Sequence, residues 1–350
     1  ASDDSVSWHG TFWCEDSLGG GMKIVCDDKI PFIKGVFEPF AQVLYLKGCD
    51  ISKQNIMDAD VLIVRTRTRC DEALLKGTGV RMVATATIGI DHIDTAWCDA
   101  NGVLWTNAPG CNAASVCQWV GSTLEALAYK LDFELGGLTL GIIGVGHVGS
   151  KVVELAKSLN MKTLLCDPPR ECIEGLDNFV SLDDIVRDSD IITIHTPLTH
   201  DTFHLFDEDR LNLLSREQVL INSARGEVVD NQALKRCLCE KLIRGAALDV
   251  WENEPEIDEE LLDLVTVGTP HIAGYSADGK ANGTGAVVKA VAKAFGISEL
   301  ENWAVKKLPK GDSVVYDVLA DDAALRRCPN NFELLRSNYG IRREPEFKVY

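Results

Sequence analysis

Three short segments concentrate the residue types that move protons and hold carboxylates: Asn222-Ser223-Ala-Arg225-Gly226, Leu248-Asp249-Val250-Trp251-Glu-Asn-Glu254-Pro255 and Thr269-Pro270-His271-Ile-Ala-Gly274. An arginine fork grips a carboxylate through two parallel N–H bonds. A histidine takes and returns a hydroxyl proton near neutral pH. A glutamate beside it fixes the imidazole tautomer and favours its charged form. Arg225, Glu254 and His271 are therefore the candidate catalytic set, for chemistry at a hydroxyl next to a carboxylate. Each alone also has a bland reading: a helix cap, a solvated loop acid, a hydrogen-bonded structural histidine. Their occurrence together behind a glycine-rich loop is what points to catalysis.

That loop is Gly144-Val-Gly146-His147-Val148-Gly149, which follows the apolar run Leu140-Gly-Ile-Ile143 and opens a helix. The first glycine makes the tight turn, the second admits a pyrophosphate to the backbone, and the third lets helix and strand pack closely. Unpaired N–H groups and the partial positive charge of the helix N-terminus then face the phosphates. The next strand ends at Asp167, where a carboxylate accepts from ribose hydroxyls and repels an added 2′-phosphate. The expected cofactor is NAD. Arg170, after Pro168-Pro169, is the neighbour that a 2′-phosphate would attract.

A second cationic site is legible at Arg65-Thr66-Arg67-Thr68-Arg69. If the preceding strand continues, alternation puts the three arginines on one face, and guanidinium plus hydroxyl donors suit a phosphate dianion. A charged edge strand guarding against aggregation is the competing reading.

These residues need strand ends to carry them. Strands are predicted at Lys23–Cys26, Val43–Leu46 and Val61–Val64, with room for helices between, one of them beyond Pro31. A long helix is predicted over 112–131, from Val116, Val120, Leu124 and Leu127 at helical spacing. Beyond Gly136-Gly137 the alternation restarts: strand Thr139–Ile143, the glycine loop, a helix through Leu159, then strands at Lys162–Cys166, Ile191–His195, Val219–Asn222, Ala246–Val250 and Val265–Gly268. Alternating strands and helices predict parallel, doubly wound sheets of the α/β class, whose ligand crevice lies at the carboxyl ends of the strands. A second long helix, Ala281–Phe295, brackets the far side. The arrangement is one domain inserted in another: 22–111 with 280–298 outside, 112–279 inside, and 299–350 a small appendage carrying a strand at Ser313–Leu319 and an Arg-rich helical stretch around Leu334–Arg343. Residues 1–21, ending in Gly19-Gly20-Gly21, read as a leader or disordered extension.

Composition excludes several classes of partner. Asp and Glu number 53 against 35 Lys and Arg, a formal charge of −18, so binding to nucleic-acid phosphate or to an anionic membrane surface is not expected. No apolar run approaches the ~18 to 20 residues of a bilayer span. Most of the 12 cysteines, among them Cys26, Cys117 and Cys166, sit in apolar runs without a C-x-x-C pair, which predicts buried thiols and no metal. A cytoplasmic location is expected.

At these motifs the chain resembles the D-isomer-specific 2-hydroxyacid dehydrogenases, over Met22 to about Phe295. The matching strings are Gly144–Gly149, Asp167, His195-Thr196-Pro197, Asn222–Gly226, Asp249–Pro255 and Thr269–His271. The resemblance implies a flavodoxin-like substrate domain around the NAD-binding domain. It implies Arg225 as carboxylate anchor, His271 as proton donor and acceptor, and Glu254 as its partner. Thr196, Ser223, Asp249 and Gly274 would join Gly144, Gly146, His147, Val148, Gly149 and Asp167 at the nucleotide. Further strings, Ala84–Asp94, Ala108–Ala113, Cys166–Arg170, Pro270–Tyr275, Tyr316-Asp317 and Asn338–Glu344, are similar to a branch that oxidises 4-phosphoerythronate in pyridoxal phosphate biosynthesis. That likeness implies substrate contacts at Arg65, Thr66, Arg67, Thr87 and Tyr275, and a small α+β dimerisation domain at 299–350 that makes a homodimer. The alternatives are a relative acting on 3-phosphoglycerate, glyoxylate or hydroxypyruvate, and a non-catalytic NAD-sensing regulator on the same fold.

Overall fold

The structure, a computed structural model, describes residues 21–310, 315–344 and 346–350, so the expected leader lies, but for Gly21, outside the described residues. The chain divides into two compact units: residues up to Asn112 with Asp278–Leu308, and Ala113–Ala277 with Pro309–Tyr350.

The first unit is built on a five-stranded parallel sheet: β1 (Lys23–Asp27), β2 (Gln42–Leu46), β3 (Val61–Val64), β4 (Met82–Thr85) and β5 (Leu104–Thr106), in the order β2-β1-β3-β4-β5. That is the flavodoxin-like winding. In β3 all four residues, Val-Leu-Ile-Val, are buried, as in a strand covered on both faces. β4 and β5 are four and three residues long and carry too little apolar pattern to announce themselves. The helix expected beyond Pro31 is absent. Residues 28–41 run as turns, with Phe32 at φ 63° and Gly35 at φ 85°, because Pro31, Gly35 and Pro39 interrupt any helical ladder. The bracketing helix spans Ala277–Phe295, and its Val287, Val288, Val291 and Phe295 pack with Ile24, Ile63 and Ala84 of the sheet.

The second unit carries a six-stranded parallel sheet: β6 (Thr139–Ile143), β7 (Lys162–Cys166), β8 (Ile191–Ile194), β9 (Val219–Asn222), β10 (Gly245–Leu248) and β11 (Val267–Gly268), ordered β11-β10-β9-β8-β6-β7. From β6 the chain steps one way to β7 and then crosses back to β8 on the other side. The order therefore reverses between β6 and β8, the point where a doubly wound sheet opens a crevice. The helix Ala113–Leu131 covers one face with Trp119, Leu124 and Leu127.

The carboxyl-terminal segment also belongs to this unit. Tyr316 and Val318 are buried in the cluster around Trp119, and Leu325 and Phe332 in the cluster on the opposite face. Its secondary structure differs from the expected strand at Ser313–Leu319. Ser313 and Val314 lie outside the described residues, Tyr316 makes a single bridge to Phe347, and a helix already begins at Val318, capped by Asp317, whose carboxylate accepts from the Leu319 amide. The Arg-rich stretch is helical only over Phe332–Ser337. Among the described residues no helix is long and apolar enough to cross a membrane.

Candidate active site

Three loops of the second unit leave the carboxyl ends of β9, β10 and β11, and each carries one member of the candidate set. After β11, His271 places its ring Nδ1 2.7 Å from Oε2 of Glu254, which lies beyond β10. The other carboxylate oxygen, Oε1, accepts from the Trp251 amide at 2.9 Å, so the carboxylate cannot rotate away. A carboxylate only accepts, so Nδ1 is the donor of the pair, and in the neutral imidazole the lone pair is on Nε2. With 31% of its side chain exposed, His271 remains reachable. Arg225 follows β9, where Asn222 braces its loop: the Asn222 amide nitrogen donates to the Arg225 carbonyl at 2.9 Å while its oxygen accepts from the Ala224 amide at 3.0 Å. The Arg225 guanidinium donates to the Ala224 carbonyl at 2.8 Å.

Asp249 lies beneath the histidine loop and is 1% exposed. Its Oδ1 accepts from the Thr269 hydroxyl (2.6 Å) and the Ile272 amide (2.8 Å), its Oδ2 from the Ala273 amide (2.9 Å). The sequence suggested this residue for the nucleotide; here it ties the His271 loop to β10. Thr269 is a hub the sequence did not reveal, since its hydroxyl also accepts from the Trp119 indole (3.0 Å) and its carbonyl from that of Trp251 (3.0 Å). The available signal was the two tryptophans, whose N–H groups need partners once buried.

The glycine loop has the form a nucleotide requires. Gly144 stands at φ 83°, and a Cβ on Gly149 would lie 2.1 Å from the Gly144 carbonyl oxygen, whereas one on Gly146 would meet nothing within 4 Å. The loop is thus closed toward the protein and open where a phosphate would approach, with His147 and Val148 in the first turn of the helix His147–Ser158. Beside it, the hydroxyls of Thr196, after β8, and Ser223, after β9, are buried without a hydrogen-bond partner. Orphaned polar atoms of this kind mark places where a ligand supplies the missing bond, and the residues present fit a dinucleotide. His195 shares a hydrogen bond with the Thr193 hydroxyl (3.0 Å), and burial pushes its imidazole down to about 3, so it stays neutral. Asp167 accepts from the Val145 amide (2.7 Å) and caps the following helix through the Arg170 amide (3.1 Å). Arg170 is held by both oxygens of Glu174 (2.6 and 2.7 Å) and by the Val145 carbonyl (2.7 Å).

The arginine cluster of the first unit differs from the expected row. β3 ends at Val64 and the chain turns, so no strand continues to put the three arginines on one face. Arg65 is drawn to Asp27, a fully buried carboxylate at the end of β1, through Nε (3.1 Å) and Nη2 (3.3 Å). Arg69 pairs with Asp71 (3.0 Å). Thr66 and Arg67 are exposed. The physical reason is local: a buried carboxylate needs a countercharge, and Arg65 is the cation at hand. Thr87, after β4, shares a hydrogen bond with Thr85 (2.8 Å) and donates to the Gly89 carbonyl (3.1 Å). Tyr275 lies in the second unit, its ring edge-on to Tyr339 with centroids 5.9 Å apart.

Comparison with known proteins agrees with this chemistry. Residues 118–273 match the profile of the D-isomer specific 2-hydroxyacid dehydrogenase NAD binding domain. The chain is 45% identical to the erythronate-4-phosphate dehydrogenase of Bacteroides fragilis, over 92% of this chain and 97% of that one. Among solved structures, D-lactate dehydrogenase from Aquifex aeolicus, complexed with NAD and lactic acid, aligns with a TM-score of 0.67 and 27% identity over 83% of this chain and 100% of its own. The 3-phosphoglycerate dehydrogenase of Entamoeba histolytica, with NAD+ bound, aligns with a TM-score of 0.68 and 25% identity over the same shares. With a relative this similar over nearly its whole length, and with the glycine loop and the Glu254–His271 pair at the strand ends, the chain belongs to the D-isomer-specific 2-hydroxyacid dehydrogenases.

Proposed function

We propose that this protein oxidises 4-phosphoerythronate at C2 with NAD, giving 2-oxo-3-hydroxy-4-phosphobutanoate, NADH and a proton, as a step of pyridoxal phosphate biosynthesis. The observation that carries the chemistry is the hydrogen-bonded pair of His271 and Glu254; the substrate rests on the likeness to an enzyme named for it. NAD, when bound, supplies the two-electron acceptor for the bond broken at C2. The Nε2 lone pair of His271 takes the C2 hydroxyl proton. Glu254 stabilises the imidazolium that results, and Arg225 binds the substrate carboxylate and orients C2. Thr196, Ser223 and the loop Gly144–Gly149 hold the dinucleotide, with Asp167 at the ribose. Thr66, Arg67 and Thr87 contact the phosphorylated substrate, with Tyr275; Arg65 contributes through its pairing with Asp27.

The test is a steady-state comparison of 4-phosphoerythronate with erythronate, 3-phosphoglycerate, glyoxylate and hydroxypyruvate. The proposal expects the first to have the highest kcat/KM. Glyoxylate as best substrate would leave only a generic 2-hydroxyacid dehydrogenase, and no turnover of any would leave a regulator.

The protein acts as a homodimer joined through its carboxyl-terminal segment. Support comes from apolar side chains left at its surface: Leu334 is 55% exposed and Val349 68%. Light scattering of the wild type and of Leu334→Glu tests this, and a wild-type monomer at micromolar concentration would refute it. The site of action is the cytoplasm, where thiols such as Cys70, pushed up to about 12 by burial, stay reduced.

A further inference from the structure

The loop that carries His271 is strained and is gripped from two sides. His271 stands at φ 54°, a left-handed conformation that is uncommon outside glycine and is sustained by its surroundings. From within, Asp249 binds the amides of Ile272 and Ala273. From without, the partners come from the end of the chain. The Gly268 amide donates to Asp322 (2.8 Å) at the start of the loop. At its end the Ala277 amide donates to the Arg342 carbonyl (2.9 Å), and the Ser276 hydroxyl donates to Glu344 (2.6 Å). In the middle, the Ala273 carbonyl accepts from Arg342 Nη2 and from the Ser115 hydroxyl (2.9 Å), which itself accepts from the same Nη2.

Arg342 is 6% exposed. Its guanidinium stacks 4.4 Å over Tyr316, whose hydroxyl, like that of Tyr339, donates to Asp321 (2.9 and 2.7 Å). Burial pushes the Asp321 carboxyl up, opposed by those two hydroxyls. Burying such a charge gains little stability over an apolar residue of the same volume. What a guanidinium adds is direction. Its N–H aimed at the Ala273 carbonyl, with the Ala273 amide already on Asp249, fixes the peptide planes on both sides of that residue, and hence the backbone that holds His271 against Glu254.

We propose that the carboxyl-terminal segment is part of the catalytic apparatus, with Arg342 as a positioning residue that holds the His271 loop through the Ala273 carbonyl. The inference rests on His271 being the proton-transfer group. In the full-length protein, Arg342→Met keeps the volume and removes the donor, while Arg342→Lys keeps the charge. Arg342→Met is expected to lower kcat about 10- to 100-fold, the usual effect of losing a supporting contact, with KM for the hydroxy acid and Kd for NAD changed less than about threefold. Arg342→Lys should recover part of the loss. In a His271→Ala background Arg342→Met should lower the residual rate no further. If Arg342→Met does not fold, Ser115→Ala removes the shared hydroxyl alone and should lower kcat severalfold at constant KM. Wild-type kcat in whichever variant folds overturns the inference, as does an equal loss of kcat with His271 absent. Full activity of His271→Ala would instead overturn the reading on which it rests.

Discussion

The two sheets are wound alike, yet their carboxyl ends handle polar side chains differently. In the second unit, side chains at successive strand ends fix one another and one another's loops: Glu254 holds His271, and Asp249 holds the loop that carries His271. In the first unit, the polar side chains near the strand ends mostly serve backbone carbonyls or a buried charge. Thr68 donates to the Gly48 carbonyl (2.8 Å), Asn107 to that of Ile88 (2.7 Å), and Arg65 neutralises Asp27. A proton-transfer group must be fixed to a fraction of an ångström before substrate arrives, whereas binding a flexible phosphate tolerates donors that settle on the ligand. Identical residue types therefore carry different weight in the two places. An arginine at a strand end is first a countercharge if a buried carboxylate lies next to it.

The largest effect that would break this contrast is on the second unit. His271→Ala should lower kcat by ~10² to 10⁴-fold while NAD still binds, measured by steady-state kinetics and by titration with the dinucleotide. In the first unit the arginines should separate by role. Arg67→Ala should lower kcat/KM for 4-phosphoerythronate about ten- to a hundredfold, as one charge-assisted contact is worth roughly 1.5 to 3 kcal/mol, with activity on erythronate nearly unchanged. Arg65→Ala should instead cost about 1 to 3 kcal/mol of stability, because it leaves Asp27 buried and uncompensated; denaturant unfolding reads this. Equal effects of both on stability would erase the distinction.

A smaller effect concerns cofactor choice. Glu174 holds Arg170 with both oxygens, so Glu174→Ala should release the cation from its carboxylate and raise kcat/KM with NADP severalfold, with NAD preferred throughout. An unchanged ratio would show that Asp167 alone sets the preference.

The smallest effect is on acid stability. His92 is buried in the first unit, its Nε2 3.2 Å from the Thr85 hydroxyl, and burial pushes its pKa down. The unfolded chain binds a proton below about pH 6.5 while the folded one takes it only at lower pH, so this group costs nothing above that pH and lowers stability as pH falls beneath it. His92→Gln should lose less stability than wild type between pH 7.5 and 5.5 in urea unfolding; parallel losses would exclude His92 as a cause.

Local pattern settled much of this protein. Apolar runs such as Val61–Val64, Thr139–Ile143 and Val219–Asn222 became strands with the expected bounds, because a strand buried on both faces needs uninterrupted apolar residues. The glycine spacing of 144–149 is likewise a local property of one turn, and the order of Arg225, Glu254 and His271 along the chain placed each at a strand end once the winding was known. Tertiary structure alone decided the rest. The turn after Val64 and the capture of Arg65 depend on Asp27 on a neighbouring strand, and β4 and β5 form because their neighbours in the sheet complete their hydrogen bonds. The carboxyl-terminal segment has little periodicity of its own; it is held by contacts to residues far away in sequence, Arg342 to Ser115 and Asp322 to Gly268. Such bonds between distant residues leave no spacing to read, since only the folded chain brings the donor and the carbonyl within reach.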